Sequence, residues 1–315
     1  MYAVVIRDKS LVIEERPTPE PAPHEVLVAV RATGINAADL MQRSGSYPAP
    51  PGWPSDIPGL EMAGIVSAVG ERVHEPLLGR RVCAVVGGGA HATHCAVPSE
   101  HLLFIPDHVG WDEAGGFAEA FTTAHDALIT QGDLRGGERV LISGAAGGVG
   151  AAAVQIAHAL GARVTAATRT NEHHEQLRAL GADETITTDQ VAQIEPVDVV
   201  LELVGAAHLS RAQYVLAPFA RVVVIGVGGG PRMEIDLLNV MTTRATLTGS
   251  TLRARSNEEK AEVAARVGQT LIPRWRTGEL RVPLARRFAL EQAAQAYDYF
   301  ARPGKFGKVI LHVDD

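Results

Sequence analysis

Apolar residues fall along this chain in two rhythms. Through the first third they come in short runs: Tyr2 to Arg7, Leu11 to Glu15, Glu25 to Thr33, Met62 to Val69, Arg81 to Val86, His91 to Val97 and Leu102 to Ile105. Glycines and prolines separate them, with Pro17, Pro19, Pro21 and Pro23 crowded into one gap. Strand-length runs broken in this way predict a compact, mostly antiparallel β domain. Asp39 to Ser44 suits one helical turn or more. A helical stretch opens at Trp111 and is expected to continue towards Ile129, linking this domain to the next.

The middle of the chain alternates strand and helix. An apolar run from Arg139 leads through small residues into a helix over Ala151 to Leu160. Arg163 to Ala167 reads as a strand, Glu172 to Leu180 as a helix, and Val197 to Val204, Arg221 to Gly226 and Ala245 to Ser250 as further strands. That alternation predicts a parallel, doubly wound sheet. Ser256 followed by Glu259 forms a capping box, so one helix is expected over Asn257 to Trp275. Arg281 to Leu290, a short helix over Glu291 to Phe300 and a strand over Lys308 to Val313 should return to the first domain. The expected division is 1–121 with 255–315, and 122–254. A ligand is expected in the cleft between the two lobes.

The turn after Arg139 carries chemistry. It reads Ser143-Gly-Ala-Ala-Gly147-Gly148-Val-Gly150 between a strand and a helix, the context of a dinucleotide fingerprint. Gly147 lets a pyrophosphate approach the backbone, and Gly150 lets the helix pack on the strand. Ala146, Gly147, Gly148 and Val149 are the expected phosphate contacts, because N–H groups at a helix start lack intrahelical partners. Ala145 stands where the first glycine usually falls, and a tight turn in another α/β protein is the competing reading. An NAD site normally places an acidic residue at the end of its second strand. Here that end reads Thr168-Arg169-Thr170, and a guanidinium beside two hydroxyls suits a 2′-phosphate. NADP(H) is therefore expected, against the alternative that Arg169 is a solvated surface charge. Leu203 and Gly205, and the run from Gly226 and Val227 to Gly230, end strands at the carboxyl edge where such sheets bind ligands. Either could instead be a simple tight turn.

Composition narrows the classes. The 315 residues are 46% hydrophobic with a formal net charge of −7, which gives no reason to expect nucleic acid or an anionic membrane as partner. Two cysteines, Cys83 and Cys95, make no disulfide framework and suit a reducing cytoplasm. No apolar run is long enough to span a membrane, and the opening residues read as a strand rather than a signal segment. His91, His94 and Cys95 could suggest a metal. In a strand, however, His91 and His94 would point to opposite faces, as packed or surface residues do.

Separated segments then fall into a familiar order: Asn36-Ala-Ala-Asp-Leu-Met-Gln-Arg43 with Ser-Gly-Ser-Tyr47, Gly59-Leu-Glu61-Met-Ala-Gly64, Glu119-Ala-Phe-Thr-Thr123, Leu252-Arg253-Ala-Arg255 and Gly304-Lys305-Phe306-Gly307-Lys308. With them the whole chain resembles the medium-chain dehydrogenase/reductase superfamily. The likeness is to its zinc-free quinone oxidoreductase branch, and within that to the tumour-suppressor-induced group. The resemblance implies an α/β protein with a GroES-like, mostly antiparallel β domain and a Rossmann NADP-binding domain. It sets Asn36, Leu60 and Glu119 at the positions of the catalytic zinc ligands of related alcohol dehydrogenases. Asparagine and leucine cannot replace thiolate and imidazole around zinc, so no metal is expected.

The resemblance also implies roles. Asn36 and Tyr47 line the nicotinamide end as catalytic donors, and Asn36 also serves as a cofactor contact. Asn36 as a turn cap and Tyr47 packed on neighbouring prolines remain open alternatives. Thr123 contacts the nicotinamide side or caps its own helix. Leu252 and Lys305 are further cofactor positions; of Lys305 and Lys308, which flank the final glycines, one could reach the cofactor, but solvated charges are the expected reading of both. His173 stands where relatives often carry a 2′-phosphate lysine, and Thr188 where many carry a tyrosine. The implied activity is NADPH-dependent reduction of quinones by hydride or single-electron transfer. Reduction of activated alkenes such as enones or enoyl thioesters, and a cofactor-binding protein with little turnover, are the alternatives. A homodimer paired through the Ala245–Ser250 edge is expected.

Overall fold

The first two apolar runs pair with each other. In the computed structural model, which describes residues 1–313, β1 (Tyr2–Arg7) and β2 (Ser10–Glu15) form an antiparallel hairpin. Then come β3 (Glu25–Ile35), β4 (Glu61–Val69), β5 (Arg81–Val85), β6 (His94–Pro98) and β7 (Leu103–Phe104). β3 is the spine, antiparallel to both β4 and β6, and the sheet continues from β4 to β5 and β7. Val28, Val30 and Ile35 of β3 join Met62, Val66, Val82 and Ala84 in one buried cluster. That burial supplies the main driving force for closing the domain. α1 (Ala37–Ser44) lies between β3 and β4 in the chain.

The helical stretch from Trp111 is not continuous. It divides into α2 (Trp111–Gly115) and α3 (Ala118–His125), followed by a wider helical turn over Asp126–Gln131. Gly115 and Gly116 stand at the break, where glycine's low helix propensity is felt most.

β8 (Arg139–Ile142), α4 (Gly148–Ala159), β9 (Arg163–Thr168), α5 (His174–Ala179) and β10 (Glu184–Thr187) open the alternating region. β11 (Val197–Glu202), α6 (Ala206–Ala212), β12 (Leu216–Val224), α7 (Leu237–Thr243) and β13 (Thr246–Gly249) complete it. β10 has a faint sequence signal because Ile186 is its one apolar residue. All six strands are parallel, in the order β10-β9-β8-β11-β12-β13. The order runs outward one way from β8 and the other way from β11. The turns leaving those two strands therefore diverge and open a crevice at the carboxyl edge, where such sheets take ligands.

The chain returns through α8 (Asn257–Thr270) and α9 (Ile272–Arg276), then β14 (Leu284–Ala289), α10 (Ala293–Ala301) and β15 (Lys308–His312). Ser256 and Glu259 cap α8 reciprocally. The single helix expected over Asn257 to Trp275 is broken at Leu271, because Pro273 has no N–H to continue the ladder and its ring crowds the preceding turn. β15 pairs antiparallel with β3, and β14 adds to it in parallel.

The chain divides into two compact units, Met1–Thr122 with the segment from Leu252 onward, and Thr123–Thr251. The second unit is thus shorter than 122–254 by one residue at its start and three at its end. Leu252 and Arg253 bury their side chains in the first unit, which carries the boundary back. Among the described residues, no helix is long and apolar enough to cross a membrane.

α4 lies so close to the turn after β8 that a Cβ on Gly150 would sit 2.5 Å from the Gly144 carbonyl oxygen and 2.6 Å from the Ala145 Cα. Overpacking of this kind costs about 1–3 kcal/mol, against a helix-propensity gain of about 1 kcal/mol for alanine. Gly150→Ala should therefore lower the urea midpoint of unfolding. An unchanged or higher midpoint would show that the helix can move away freely.

Candidate functional site

In the second unit, α4 begins at Gly148 with Gly147 as its N-cap and no side chain capping it. Its first-turn N–H groups point where an anion would be favoured. A Cβ on Gly147 would meet nothing nearer than the Gly144 carbonyl at 3.4 Å, so the backbone stays open to approach. A pyrophosphate fits these residues: Ala146, Gly147, Gly148 and Val149 form the lip.

The neighbouring turn, after β11, is held by a buried carboxylate. Glu202 Oε1 accepts from Ser143 Oγ at 2.7 Å, Val204 N at 2.7 Å and Gly205 N at 2.8 Å, while Oε2 pairs with His208 Nδ1 at 2.6 Å. Ser143 Oγ in turn accepts from Leu203 N at 2.7 Å. Burial pushes the Glu202 carboxyl up, but the His208 bond and charge and the other donors outweigh it, and the net shift is downward. Leu203 and Gly205 are thus set at a fixed height beside the α4 turn. The Gly226–Gly230 run folds onto the same turn, with Gly226 N donating to Glu202 O and Ala206 N to Gly230 O. Val227, in that run, is exposed.

At the end of β9, Arg169 and Thr170 are exposed and His173 is half-buried. Thr168 differs from expectation. Its hydroxyl turns inward to Thr170 O at 2.7 Å and His174 Nε2 at 2.9 Å, which leaves Thr170 as the outward hydroxyl. Thr188 Oγ1 bonds to Thr168 O and braces the same corner. Thr123 is half-buried on α3.

In the first unit, strand register brings chemistry together. β15 pairs with β3 so that Val309 faces Ile35, and β4 pairs with β3 so that Ala63 faces Ala32. Continued by one and two residues, these ladders set Lys308 beside Asn36 and Glu61 beside Gly34. A Cβ on Gly34 would fall on the Glu61 carboxylate, so glycine is required there. Glu61 has no exposed side-chain surface. It accepts from Lys308 Nζ at 2.5 Å, Asn36 Nδ2 at 2.9 Å and Glu119 N at 2.8 Å. Lys308 also donates to Asn36 Oδ1 at 2.7 Å. The expectation of a solvated Lys308 is therefore corrected: its side chain is 3% exposed and fully engaged.

Of the three positions compared with zinc ligands, Asn36 gives an amide, Leu60 a buried alkyl chain and Glu119 a carboxylate, so neither a thiolate nor an imidazole is among them. The nearby carboxylate of Glu61 is already neutralised by an ammonium that would repel a divalent cation. Among the described residues, no group of three or more His, Cys, Asp or Glu could hold a metal ion. His91 lies in the loop before β6, not in a strand. It is fully buried between Gly34 O and the Tyr297 hydroxyl, and burial lowers its pKa to about 4.

The other first-unit residues resolve differently. Arg253 is buried and donates to Gly87 O, Gln42 Oε1 and Tyr47 O, with its guanidinium 4.9 Å from the centre of the Tyr47 ring. A cation therefore lies over the Tyr47 ring. Leu252 turns into the first unit's interior with Val85, Leu103 and Thr122 around a small cavity of about 20 Å³. Lys305 donates to Arg302 O at 3.1 Å and covers the Phe300 ring. Glu61, Lys308, Arg253, Glu202 and His208 carry the site's architecture; the first three lie in segments that carry the resemblance, but the sequence attaches no such role to any of the five, and strand register is the signal that could have given one to Lys308.

A family model described as alcohol dehydrogenase GroES-like domain matches residues 22–133, and one described as zinc-binding dehydrogenase matches residues 148–269. The quinone oxidoreductase of Lama guanicoe is 33% identical over 306 residues, covering 93% of this chain and 90% of that protein. A solved alcohol dehydrogenase superfamily protein from Novosphingobium aromaticivorans superposes with a TM-score of 0.89 at 30% identity, over 100% of both chains. A mycobacterial protein solved in complex with NADPH has a TM-score of 0.88 at 26% identity, covering 99% of this chain and 100% of that one.

Removing one partner of a buried ion pair costs about 3–5 kcal/mol, because the other charge is left unanswered. Lys308→Met should show a loss of that order in urea unfolding, and Glu61→Gln with Lys308→Met should recover most of it. Equal stability of wild type and Lys308→Met would show that the pair is not buried. Asp39 gives a second outcome. Its carboxyl is fully buried, and desolvation raises its pKa to about 7 even though Asn36 N and Gly59 N donate to it. The unfolded value is about 3.9, so stability from the protonated form is present below about pH 4 and lost as pH rises through about 7. His91 slopes the other way between about 4 and 6.5. Asp39→Asn should remove the falling component, so the variant should lose less stability than wild type between pH 4 and 7. Parallel pH profiles would contradict this.

Proposed function

The chain belongs to the medium-chain dehydrogenase/reductase superfamily, and from that membership we propose that this oxidoreductase is a zinc-free NADPH:quinone reductase. The observation that carries the proposal is the exchange of metal-ligand chemistry for an amide, Asn36, held by a buried ammonium and carboxylate. A quinone is already electrophilic and needs a hydrogen-bond donor more than a Lewis acid. The similarity to quinone oxidoreductases and to an NADPH-complexed protein supports the same reading.

When bound, NADPH supplies a hydride, and with one proton from solvent the quinone becomes a hydroquinone as NADP⁺ is released. The backbone from Ala146 to Val149 holds the pyrophosphate. Arg169 and Thr170 hold the 2′-phosphate, with Thr168 shaping the corner and His173 flanking it. Leu203, Gly205, Gly226 and Val227 wall the crevice, and Thr123 orients the nicotinamide. Asn36 donates to the acceptor oxygen as it gains charge, and Tyr47 borders the acceptor. Leu252 and Lys305 act through the backbone they anchor. The protein works as a homodimer: among the described residues β13 pairs only with β12, and Leu237, Leu238, Met241 and Leu247 expose apolar surface on α7 and β13.

NADPH oxidation should be fast with 9,10-phenanthrenequinone or 1,4-naphthoquinone and slow with a simple enone. Turnover of the enone alone would reassign the enzyme to alkene reduction, and binding without any turnover would make it a cofactor-binding protein. Arg169→Ala should reduce the preference for NADPH over NADH by about tenfold or more, as expected for charge-assisted bonds of about 1.5–3 kcal/mol. An unchanged preference would remove the 2′-phosphate assignment. Sedimentation equilibrium should give twice the chain mass, and the single-chain mass would contradict the dimer.

A further inference from the structure

We propose that Lys308 is a positioning residue for this reaction: its ammonium fixes the Asn36 carboxamide so that an N–H is presented to the hydride acceptor's oxygen. The inference rests on the quinone-reductase reading above and deepens it.

The geometry leaves the amide one orientation. A lysine ammonium can only donate and a carboxylate can only accept. Lys308 Nζ lies 2.7 Å from Asn36 Oδ1, and Glu61 Oε1 lies 2.9 Å from Asn36 Nδ2. Turning the amide over would set NH₂ against ammonium and oxygen against carboxylate, two repulsive contacts in place of two attractive ones. The two charges are held in turn by each other, by Glu119 N on Glu61, and by Ile35 O on Lys308.

The helix does not need this side chain. Asn36 is the N-cap of α1, yet it uses its backbone carbonyl to accept from Asp39 N, and the Asp39 carboxylate holds Asn36 N at 2.7 Å. The backbone is pinned at both groups while the side chain serves Lys308 and Glu61. One amide hydrogen is committed to Glu61. The amide nitrogen also reaches Gly34 O at 3.4 Å, a long contact that yields readily to a better acceptor. A cation on the amide oxygen draws electron density from its nitrogen, so that N–H becomes a stronger donor as negative charge grows on the acceptor. With its ammonium engaged by Ile35 O, Asn36 Oδ1 and Glu61 Oε1, Lys308 acts through Asn36.

The test uses the full chain with 1,4-naphthoquinone as acceptor. Lys308→Met should lower kcat about tenfold or more while leaving the NADPH Kd within about twofold, and Lys308→Arg should restore most of the rate. In an Asn36→Ala background, Lys308→Met should cost less than a further twofold. Because Lys308→Met strands Glu61, the Glu61→Gln with Lys308→Met protein is measured beside it and should show the same fall in kcat with near-normal unfolding. A readout independent of turnover is the Asn36 side-chain amide resonance: it should move upfield in both proteins lacking the ammonium and hold its place in Lys308→Arg. Independent, multiplying losses in the Asn36→Ala background, or an amide resonance indifferent to Lys308, would overturn the proposal. A wild-type protein inactive towards quinones but with the expected resonance shifts would sink the quinone reading and leave the positioning intact.

Discussion

A carboxylate with no exposed surface must be answered by donors inside the protein, and Glu61 is answered by three. They come from β15, from the end of β3 and from the start of α3, so one charge ties together parts of the chain far apart in sequence. Gly34 makes room for it, and the β3 ladders set its partners in register. Take the carboxylate away and Lys308 is stranded; take Lys308 away and Glu61 is. The pair makes a charged centre inside a β domain whose largest buried cluster is mainly aliphatic, with Phe288 and Tyr297 among its members.

The second unit repeats the device in a different setting. Glu202, at the end of β11, gathers Ser143 from the end of β8 and the N–H groups of the following turn. β8 and β11 are the neighbours between which strand order reverses, so the carboxylate spans the mouth of the crevice. His208 holds its other oxygen. In each unit a buried glutamate turns charge into position, and the groups it positions are those assigned to ligand or acceptor.

Much of this was legible in the sequence. The alternation after Arg139, the glycine turn and the short strands before Ile105 announced both units, because periodicity and turn residues are local signals. Gly147 and Arg169 could be singled out for the same reason, whereas Asn36 drew its role from the family resemblance alone. What the sequence concealed depends on residues brought together by pairing. Lys308 looked like a surface charge until β15 was laid on β3. Leu252 looked like a cofactor contact until it was found buried in the first unit, and Thr168 until its hydroxyl turned to His174. The long helix expected through Trp275 from its capping box failed for a local reason, Pro273, because a cap marks where a helix starts and not where it ends.

The two units differ in what they leave for a ligand: in the first, Glu61 is answered by its own ammonium, whereas in the second the first-turn N–H groups of α4 have no side-chain cap, and in the proposed function they and Arg169 meet an anion. Titrating NADPH and NADH separately into the protein before and after thorough chelation tests that difference most directly. NADPH should bind more tightly than NADH, with the same affinity in both preparations. No affinity for either coenzyme, or affinity that returns only when zinc is added back, would contradict it.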